Sequence, residues 1–140
     1  MKSSTKPRHK TRTRQRRQGA ATIELAVCLP MLILLCFGSI QAASMMFLRQ
    51  ALVQSAYEGA KVAARDEGTN AGAIDAINAV AAGRNIQGLQ ITFTPSDVTS
   101  VPDGDLIRVT VTAPSDPNSL FPIAPFQGVT LGAEAVMAKE

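Results

Sequence analysis

The feature that most limits how this chain can fold is an uncharged apolar run, residues 25–48. As an α-helix, its 24 residues would rise roughly 36 Å, which is enough to cross a hydrocarbon layer of about 30 Å. Arg49 ends the run, and eight Lys and Arg residues without a single acid precede it in residues 1–19. Because positive charge beside a span stays in the cytoplasm, the sequence predicts a single-pass protein with its N-terminus inside and its C-terminal part outside.

Charge is segregated along the chain. Residues 20–140 contain six basic and eleven acidic residues, so the basic character belongs to the N-terminal tail alone. Such a tail can bind nucleic acid or anionic lipid in principle. It contains no aromatic residue to stack on bases, and an apolar segment follows it directly. We therefore expect a role in membrane topology and no binding of nucleic acid.

Three interpretations of this start are open. A secretory signal peptide usually has an apolar core of only about 7–15 residues, and the sequence GSIQAAS offers a poor cleavage site. An uncleaved signal anchor would leave Glu24 among the headgroups without a function. In the third interpretation Glu24 is a functional site, which is the default hypothesis for an ionisable group within a span.

The spacing around Glu24 favours the third interpretation. Gly19 directly precedes Ala20, and Glu24 is fifth when counted from Ala20. A glycine, four small or apolar residues and a glutamate between a basic leader and an apolar helix resemble the processing signal of type IV prepilins. The resemblance implies that prepilin peptidase cuts between Gly19 and Ala20 and that Ala20 becomes N-methylated. Glu24 would then pair with the new ammonium group of a neighbouring subunit, which neutralises two costly charges and fixes axial register.

A longer match narrows the resemblance. Residues 16–65 are similar to the N-terminal half of TadE-like pseudopilins, the minor pilin-like proteins of tight-adherence (Flp, type IVb) pili. The matching pieces are Gly19-Ala20-Ala21 with Glu24 and Ala26, Leu29-Pro30, Phe37-Gly38, Arg49-Gln50-Ala51, and Ala56 to Ala60 with Ala64-Arg65. The major Flp pilins usually have Tyr after the glutamate, where this chain has Leu25, and they are much shorter. TadG-like relatives carry a large additional domain, for which this chain has no room.

The resemblance implies a minor pseudopilin, made as a prepilin, that takes part in assembling a tight-adherence pilus for surface attachment. The partners it implies are prepilin peptidase, other pilins and pseudopilins, the inner-membrane assembly platform and membrane lipid. It implies a location in the bacterial cytoplasmic membrane, or in the pilus after assembly. The alternative is an uncleaved single-pass membrane protein with a small external binding domain.

Two features of the apolar run bear on helix packing. Gly38 and Ala42 are four residues apart, as are Ser39 and Ala43, and small residues at this spacing let another helix approach closely. Pro30 lacks the N–H that its partner four residues earlier would receive, so a kink is predicted there. Two alternatives need no role in assembly. In these alternatives the small residues simply belong to an alanine-rich helix, and Pro30 to the prolines that membrane helices tolerate.

The pattern after the span predicts a small α+β domain. The first helix continues to about Arg65 with an i, i+3 ion pair between Glu58 and Lys61, and a second helix covers about Ala71–Gly83. The small or apolar stripe of the first helix is Ala51, Leu52, Ser55, Ala56, Gly59, Val62 and Ala63. The buried stripe of the second is Ile74, Ile77, Val80 and Ala81.

Three later segments alternate apolar and polar residues, which is typical of half-buried antiparallel strands. Their inward residues are Leu89, Ile91 and Phe93; Ile107, Val109 and Val111; and Val129, Leu131, Ala133, Ala135 and Met137. The predicted fold class is α+β, with a long N-terminal transmembrane helix, a second helix and a three-stranded antiparallel sheet, an arrangement also found in pilins. The predicted domains are the basic prepilin leader 1–19, the transmembrane helix 20–48 and the extracytoplasmic domain 49–140.

Nothing in the sequence indicates an enzyme, a cofactor or a metal site. The one histidine, His9, lies in the leader, and Cys28 and Cys36 are too far apart along a helix to bond one another. The acids Asp97, Asp103 and Asp105 lack the spacing of a calcium loop, so we expect solvated turn residues. We expect the chain to be a substrate of a peptidase rather than a catalyst.

The loop 114–128 is unusually apolar for a solvated connection. Its large apolar residues are Leu120, Phe121, Ile123 and Phe126. Prolines between them prevent regular structure. They either cap the open end of the sheet core or present an apolar contact to another pilus protein.

Overall fold

The computed structural model describes the backbone of residues 12–120 and 127–140, and the side chains from residue 19 onward in those ranges. In chain order the elements are helix α1 (Arg12–Ala63), helix α2 (Asn70–Gly83) and the strands β1 (Gln90–Thr94), β2 (Leu106–Pro114) and β3 (Thr130–Ala138). Short 3-10 turns lie at Val98–Ser100 and Asp116–Asn118. This order confirms the predicted α+β fold. The chain divides into two compact units, Met1–Ser39 and Ile40–Glu140.

Helix α1 is 52 residues long and is helical through Pro30 without a break; whether the helix bends there stays a prediction. The tight turn after Ala63 requires a glycine, because a Cβ on Gly68 would collide with the carbonyl oxygens of Val62 and Ala63. The Gly68 N–H donates to the Arg65 carbonyl at 2.8 Å. Gly68 therefore allows the chain to leave α1 abruptly and start α2.

One face of α1 is covered by the rest of the Ile40–Glu140 unit. Its buried residues are Leu48, Ala51, Leu52, Ser55, Ala56, Ala60, Ala63 and Ala64. The predicted stripe is confirmed, with Val62 half-buried at its border. Because this face is made mostly of alanines, α2 approaches closely. A Cβ on Gly59 would stand only 2.5 Å from Cδ1 of Ile77.

Helix α2 begins with a side-chain cap, because the Thr69 hydroxyl accepts a hydrogen bond from the Gly72 N–H at 3.1 Å. Its buried residues are Ala73, Ile77 and Ala81, spaced by four. The predicted stripe is right for Ile77 and Ala81 and wrong for Ile74 and Val80, which are half-buried. Ile77 fills the space beside Gly59 of α1, and the alanines one turn before and after it complete the buried face.

The sheet has the order β1-β2-β3 with both neighbouring pairs antiparallel. The central strand β2 buries Ile107, Val109, Val111 and Ala113 completely. The inward residues of β1 and β3 are half-buried and pack against this core. The alternation predicted from the sequence is confirmed in all three strands.

The C-terminal end of β3 is tied to the end of α1. Lys139 is 6% exposed, and its ammonium group donates to the Arg65 carbonyl at 2.8 Å. The next residue, Glu140, donates its backbone N–H to the Ala64 carbonyl at 2.8 Å. The Glu140 bond gives a partner to a carbonyl group just beyond the end of the helix, and the Lys139 bond adds a second donor to the Arg65 carbonyl, which also accepts the Gly68 N–H.

Candidate functional site

The first candidate site is the N-terminal part of α1, where residues 19–40 are all exposed. Exposed large apolar side chains line this segment at every turn: Ile23, Leu25, Val27, Leu29, Met31, Leu32, Ile33, Leu34, Leu35, Phe37 and Ile40. A helix that is apolar on all sides suits hydrocarbon rather than water. Among the described residues it is the one helix long and apolar enough to cross a membrane.

The predicted cleavage residues lie within this helix. Gly19 and Ala20 are exposed, and a Cβ built on Gly19 meets no atom within 4 Å. Ala20 and Glu24 are one turn apart, so they share a face of α1. The ion pairs of the described residues are Glu58–Lys61 and Arg108–Glu134, and Glu24 belongs to neither. The Glu24 carboxylate is thus exposed in an apolar segment without a cation from the described part of its own chain.

The residues predicted to favour helix packing are also accessible. Pro30 and Gly38 are exposed, and the space around a Cβ at Gly38 is open to 4 Å. Ala42 is exposed as well. The hydroxyl of Ser39 donates to the Cys36 carbonyl of its own helix at 2.9 Å, so this serine already has a local partner. The free cysteines Cys28 and Cys36 are exposed on α1.

Sequence reasoning missed the role of Gln41. It counted Gln41 as part of the uncharged run, but the side chain is 3% exposed and its Oε1 accepts a hydrogen bond from the Ser119 hydroxyl at 2.7 Å. Leu48, seven residues on, is 6% exposed. A lone amide inside an apolar run was the signal, since a buried amide needs a partner. Its partner lies 78 residues away, which no local pattern reveals.

A second exposed face lies on α1 within the Ile40–Glu140 unit. Met46, Val53 and Tyr57 repeat with spacings of seven and four and are 69%, 51% and 52% exposed. With Arg49 and Gln50 they line an open, mainly apolar groove. Residues at this spacing share one face of a helix, so the surface opposite the buried stripe is unusually apolar for a solvated helix.

The acidic turn residues are explained by local structure. Asp97 caps the turn Val98–Ser100 by accepting hydrogen bonds from the hydroxyl and the N–H of Thr99, and these bonds hold its pKa below the ordinary value. Asp105 accepts the Lys139 N–H through its backbone carbonyl at 2.8 Å. No group of three His, Cys, Asp or Glu residues is arranged for a metal in the part of the chain that the structure describes.

The loop 114–128 is described at its two ends. The Asn118 carboxamide donates to the carbonyls of Pro114 and Gln87 at 2.8 and 2.9 Å, and the Asp116 carboxylate accepts the Gly128 N–H at 3.0 Å. Leu120 is 73% exposed. The predicted apolar residues Phe121, Ile123 and Phe126 lie outside the described residues. The choice between a core cap and a partner contact therefore stays open.

An exposed apolar N-terminal helix that continues into a folded α+β unit indicates a membrane-anchored protein. The model of the family described as TadE-like protein matches residues 19–61. Residues 19–61 are therefore similar to the TadE-like family, which agrees with the resemblance found in the sequence. The matched segment starts at Gly19 and ends within α1. No curated protein and no solved structure matches the chain.

Proposed function

We propose that the protein is a minor pseudopilin that prepilin peptidase cuts after Gly19 and that then takes part in assembling a tight-adherence pilus. The observation that carries the proposal is the start of the TadE-like segment at Gly19, five residues before the one acid of the apolar helix. The peptidase requires an accessible backbone, and the open surroundings of Gly19 support this. The chain is a substrate and a structural subunit in this proposal, without catalytic activity of its own.

Glu24 provides the physical reason for processing. A carboxylate in hydrocarbon is costly unless a cation neutralises it, and the described part of the chain supplies none. Cleavage after Gly19 would create an α-ammonium group at Ala20. In a neighbouring subunit shifted along the helix axis, this group can reach Glu24. The pair would set the axial register of packed helices and would be lost if the leader remained.

The remainder of α1 fits lateral association. Gly38 and Ala42 are exposed small residues that allow another helix to approach. Farther along, the apolar face of Met46, Val53 and Tyr57 offers a contact of the same kind outside the lipid. We propose that other pilins and the inner-membrane assembly platform use this helix. The basic leader would stay in the cytoplasm while the α+β unit lies outside the membrane.

Mass spectrometry of the protein recovered from its native membrane tests the processing step. We expect an N-terminus at Ala20, with an added methyl group on its nitrogen. Gly19→Val should block the cut, because a branched side chain obstructs the peptidase. Gly38→Val is the matched control, since it alters a glycine with equally open surroundings in the same helix and should leave the cut intact.

The assembly role is tested separately with Glu24→Ala. We expect normal cleavage and a loss of pilus assembly or surface attachment, because the register pair is gone. An intact leader in the wild-type protein would favour the alternative, an uncleaved anchor with an external binding domain. A mature N-terminus near residues 42–44 would instead indicate a secreted protein.

A further inference from the structure

Strand β3 lies at an edge of the sheet, and among the described residues β2 is the one strand that pairs with it. It pairs with β2 through nine residues in continuous register, without a bulge. The segment contains no proline and no lysine, and Glu134 is its one charged residue. The opposite edge, β1, has five residues and is followed directly by Pro95. Proteins usually prevent long edge strands from pairing with another chain by means of charges, prolines or bulges. Because β3 has one charged residue and neither a proline nor a bulge, its edge is suited to pairing.

The backbone groups that face outward can be assigned from the ladder. Val129 accepts the Ser115 N–H, and Lys139 donates to the Asp105 carbonyl, each at 2.8 Å. Backbone groups alternate in direction along an antiparallel strand. The odd-numbered residues therefore bond to β2, and the even-numbered residues direct their N–H and C=O groups to the free edge. These residues are Thr130, Gly132, Glu134, Val136 and Ala138, and all are exposed.

We propose that this edge pairs antiparallel with β3 of a second copy of the chain, joining two three-stranded sheets into one. Such an interface is isologous, so each copy supplies the same row of donors and acceptors to the other. The strand is self-complementary because the outward N–H and C=O groups of Thr130, Gly132, Glu134 and Val136 can meet those of its copy. Gly132, Ala133 and Ala135, near the middle of the strand, have little or no side chain to hinder close approach.

The position of Glu134 selects the register. Pairing centred on Glu134 would place two carboxylates directly opposite each other, which is destabilising. A shift of one residue centres the two-fold axis on Ala133, so that Glu134 faces Gly132 of the other copy. This register still pairs residues 130–136. Glu134 keeps its ion pair with Arg108 on the neighbouring strand, so no unpaired charge enters the new interface.

Disulfide crosslinking of the full chain in its native membrane tests this register. The background variant carries Cys28→Ala and Cys36→Ala. In the proposed pairing the two Ala133 Cα atoms are about 4.5 Å apart, within the range of about 4.4–6.8 Å that a disulfide accepts. The two Thr130 positions are offset by about 20 Å and the two Ala138 positions by about 34 Å along the strand. The yield of disulfide-linked dimer from the single variants Ala133→Cys, Thr130→Cys and Ala138→Cys therefore reports the register. The variant Thr92→Cys on β1 measures the crosslinking that random collision produces.

Substitutions at Val136 test whether backbone pairing along the β3 edge causes the dimer to form. Val136→Pro removes an outward N–H and no bond to β2, so the sheet of each copy should remain folded. Val136→Lys keeps the N–H and adds a charge at the same position. It disfavours pairing at this edge without proline, so it serves as an independent variant if proline disturbs the strand. Circular dichroism of the purified variants checks that they are folded.

Support for the proposal is a dimer band that is strong for Ala133→Cys, weak for Thr130→Cys and Ala138→Cys, and lost when Val136→Pro or Val136→Lys is added. Equal bands at Ala133 and Thr92 would indicate collision and overturn it. No band at any β3 position, or a band that survives both substitutions at Val136, would also overturn it. The proposal does not depend on cleavage after Gly19, because crosslinking can be measured with the leader intact or removed.

Discussion

Gly59 of α1 lies directly against Ile77 of α2, and replacing it with alanine is a quantitative test of the packing. Alanine inside a helix is normally better than glycine by about 1 kcal/mol. Here the added methyl group would stand 2.5 Å from both Cγ1 and Cδ1 of Ile77 and 3.6 Å from the Ala73 carbonyl oxygen. Ile77 is completely buried, so it has no solvent to turn into. Overpacking of this kind typically costs about 1–3 kcal/mol.

Gly83→Ala is the matched control, because it is also a glycine of a helix but has open space around its Cβ. Both variants gain helix propensity, so the difference between them isolates the steric cost. We expect Gly59→Ala to be less stable than Gly83→Ala by about 1–3 kcal/mol. For a domain of this size, 1 kcal/mol corresponds to roughly 4–8 °C in the unfolding midpoint.

The assay is thermal unfolding of the full chain in mild detergent, followed by circular dichroism. A double variant adds a sharper criterion. Ile77→Ala alone should cost about 2–5 kcal/mol, but in the presence of Gly59→Ala it also removes the collision, so the two effects should fall short of additivity by about 1–3 kcal/mol. Additive effects, or a Gly59→Ala variant as stable as Gly83→Ala, would refute the reasoning about this contact.

Three further substitutions give defined outcomes. Lys139→Met should lower the free energy of unfolding by about 1 kcal/mol, because it removes one of the two donors to the Arg65 carbonyl, which keeps the Gly68 N–H; urea denaturation measures this. Ser119→Ala should cost about 1–3 kcal/mol in the same assay, because it leaves the buried Gln41 amide oxygen unpaired, whereas a neutral result would mean that water replaces the hydroxyl. Asp97 has a lowered pKa in the folded chain. Its ionised form therefore stabilises the fold fully above the ordinary pKa of 3.8, and this stabilisation is lost as the pH falls through the folded pKa. Asp97→Asn should remove this part of the acid dependence, which a comparison of unfolding midpoints between pH 2 and 6 would reveal.

The sequence predicts the sheet well because the information there is local. Ile107, Val109 and Val111 alternate with polar residues, and such a period places one face in the core whatever the remainder of the fold. The same holds for the stripe of α1. The buried face of α2 was harder to predict, because it depends on its partner. Ile77 and the Ala73 carbonyl oxygen lie against Gly59 of α1, and Ala73 is buried while Val80 is half-buried.

The sequence also predicts one part of the candidate functional surfaces and misses another. The spacing of Gly19, Ala20 and Glu24 is visible in the sequence, and so is the resemblance that the family match confirms over residues 19–61. The free edge of β3 could not be predicted, because the alternation of its residues does not reveal which strand lies beside it. Only the strand order shows that, in the part of the chain that the structure describes, no strand pairs with the second side of β3. Sequence patterns therefore indicate which faces are buried, and topology decides which edges remain open.

Gln41 and Glu24 are two of the polar residues in the apolar part of α1, and one physical rule gives opposite results for them. A polar group removed from water requires a partner. Gln41 finds one within its own chain, in the Ser119 hydroxyl at 2.7 Å. Glu24 finds no cation among the described residues. An amide satisfied internally stabilises the fold of one molecule, whereas a carboxylate without a cation among the described residues of its chain favours association with a molecule that supplies the opposite charge. In the proposed function a neighbouring subunit neutralises Glu24, so Glu24→Ala should impair assembly while the fold is retained.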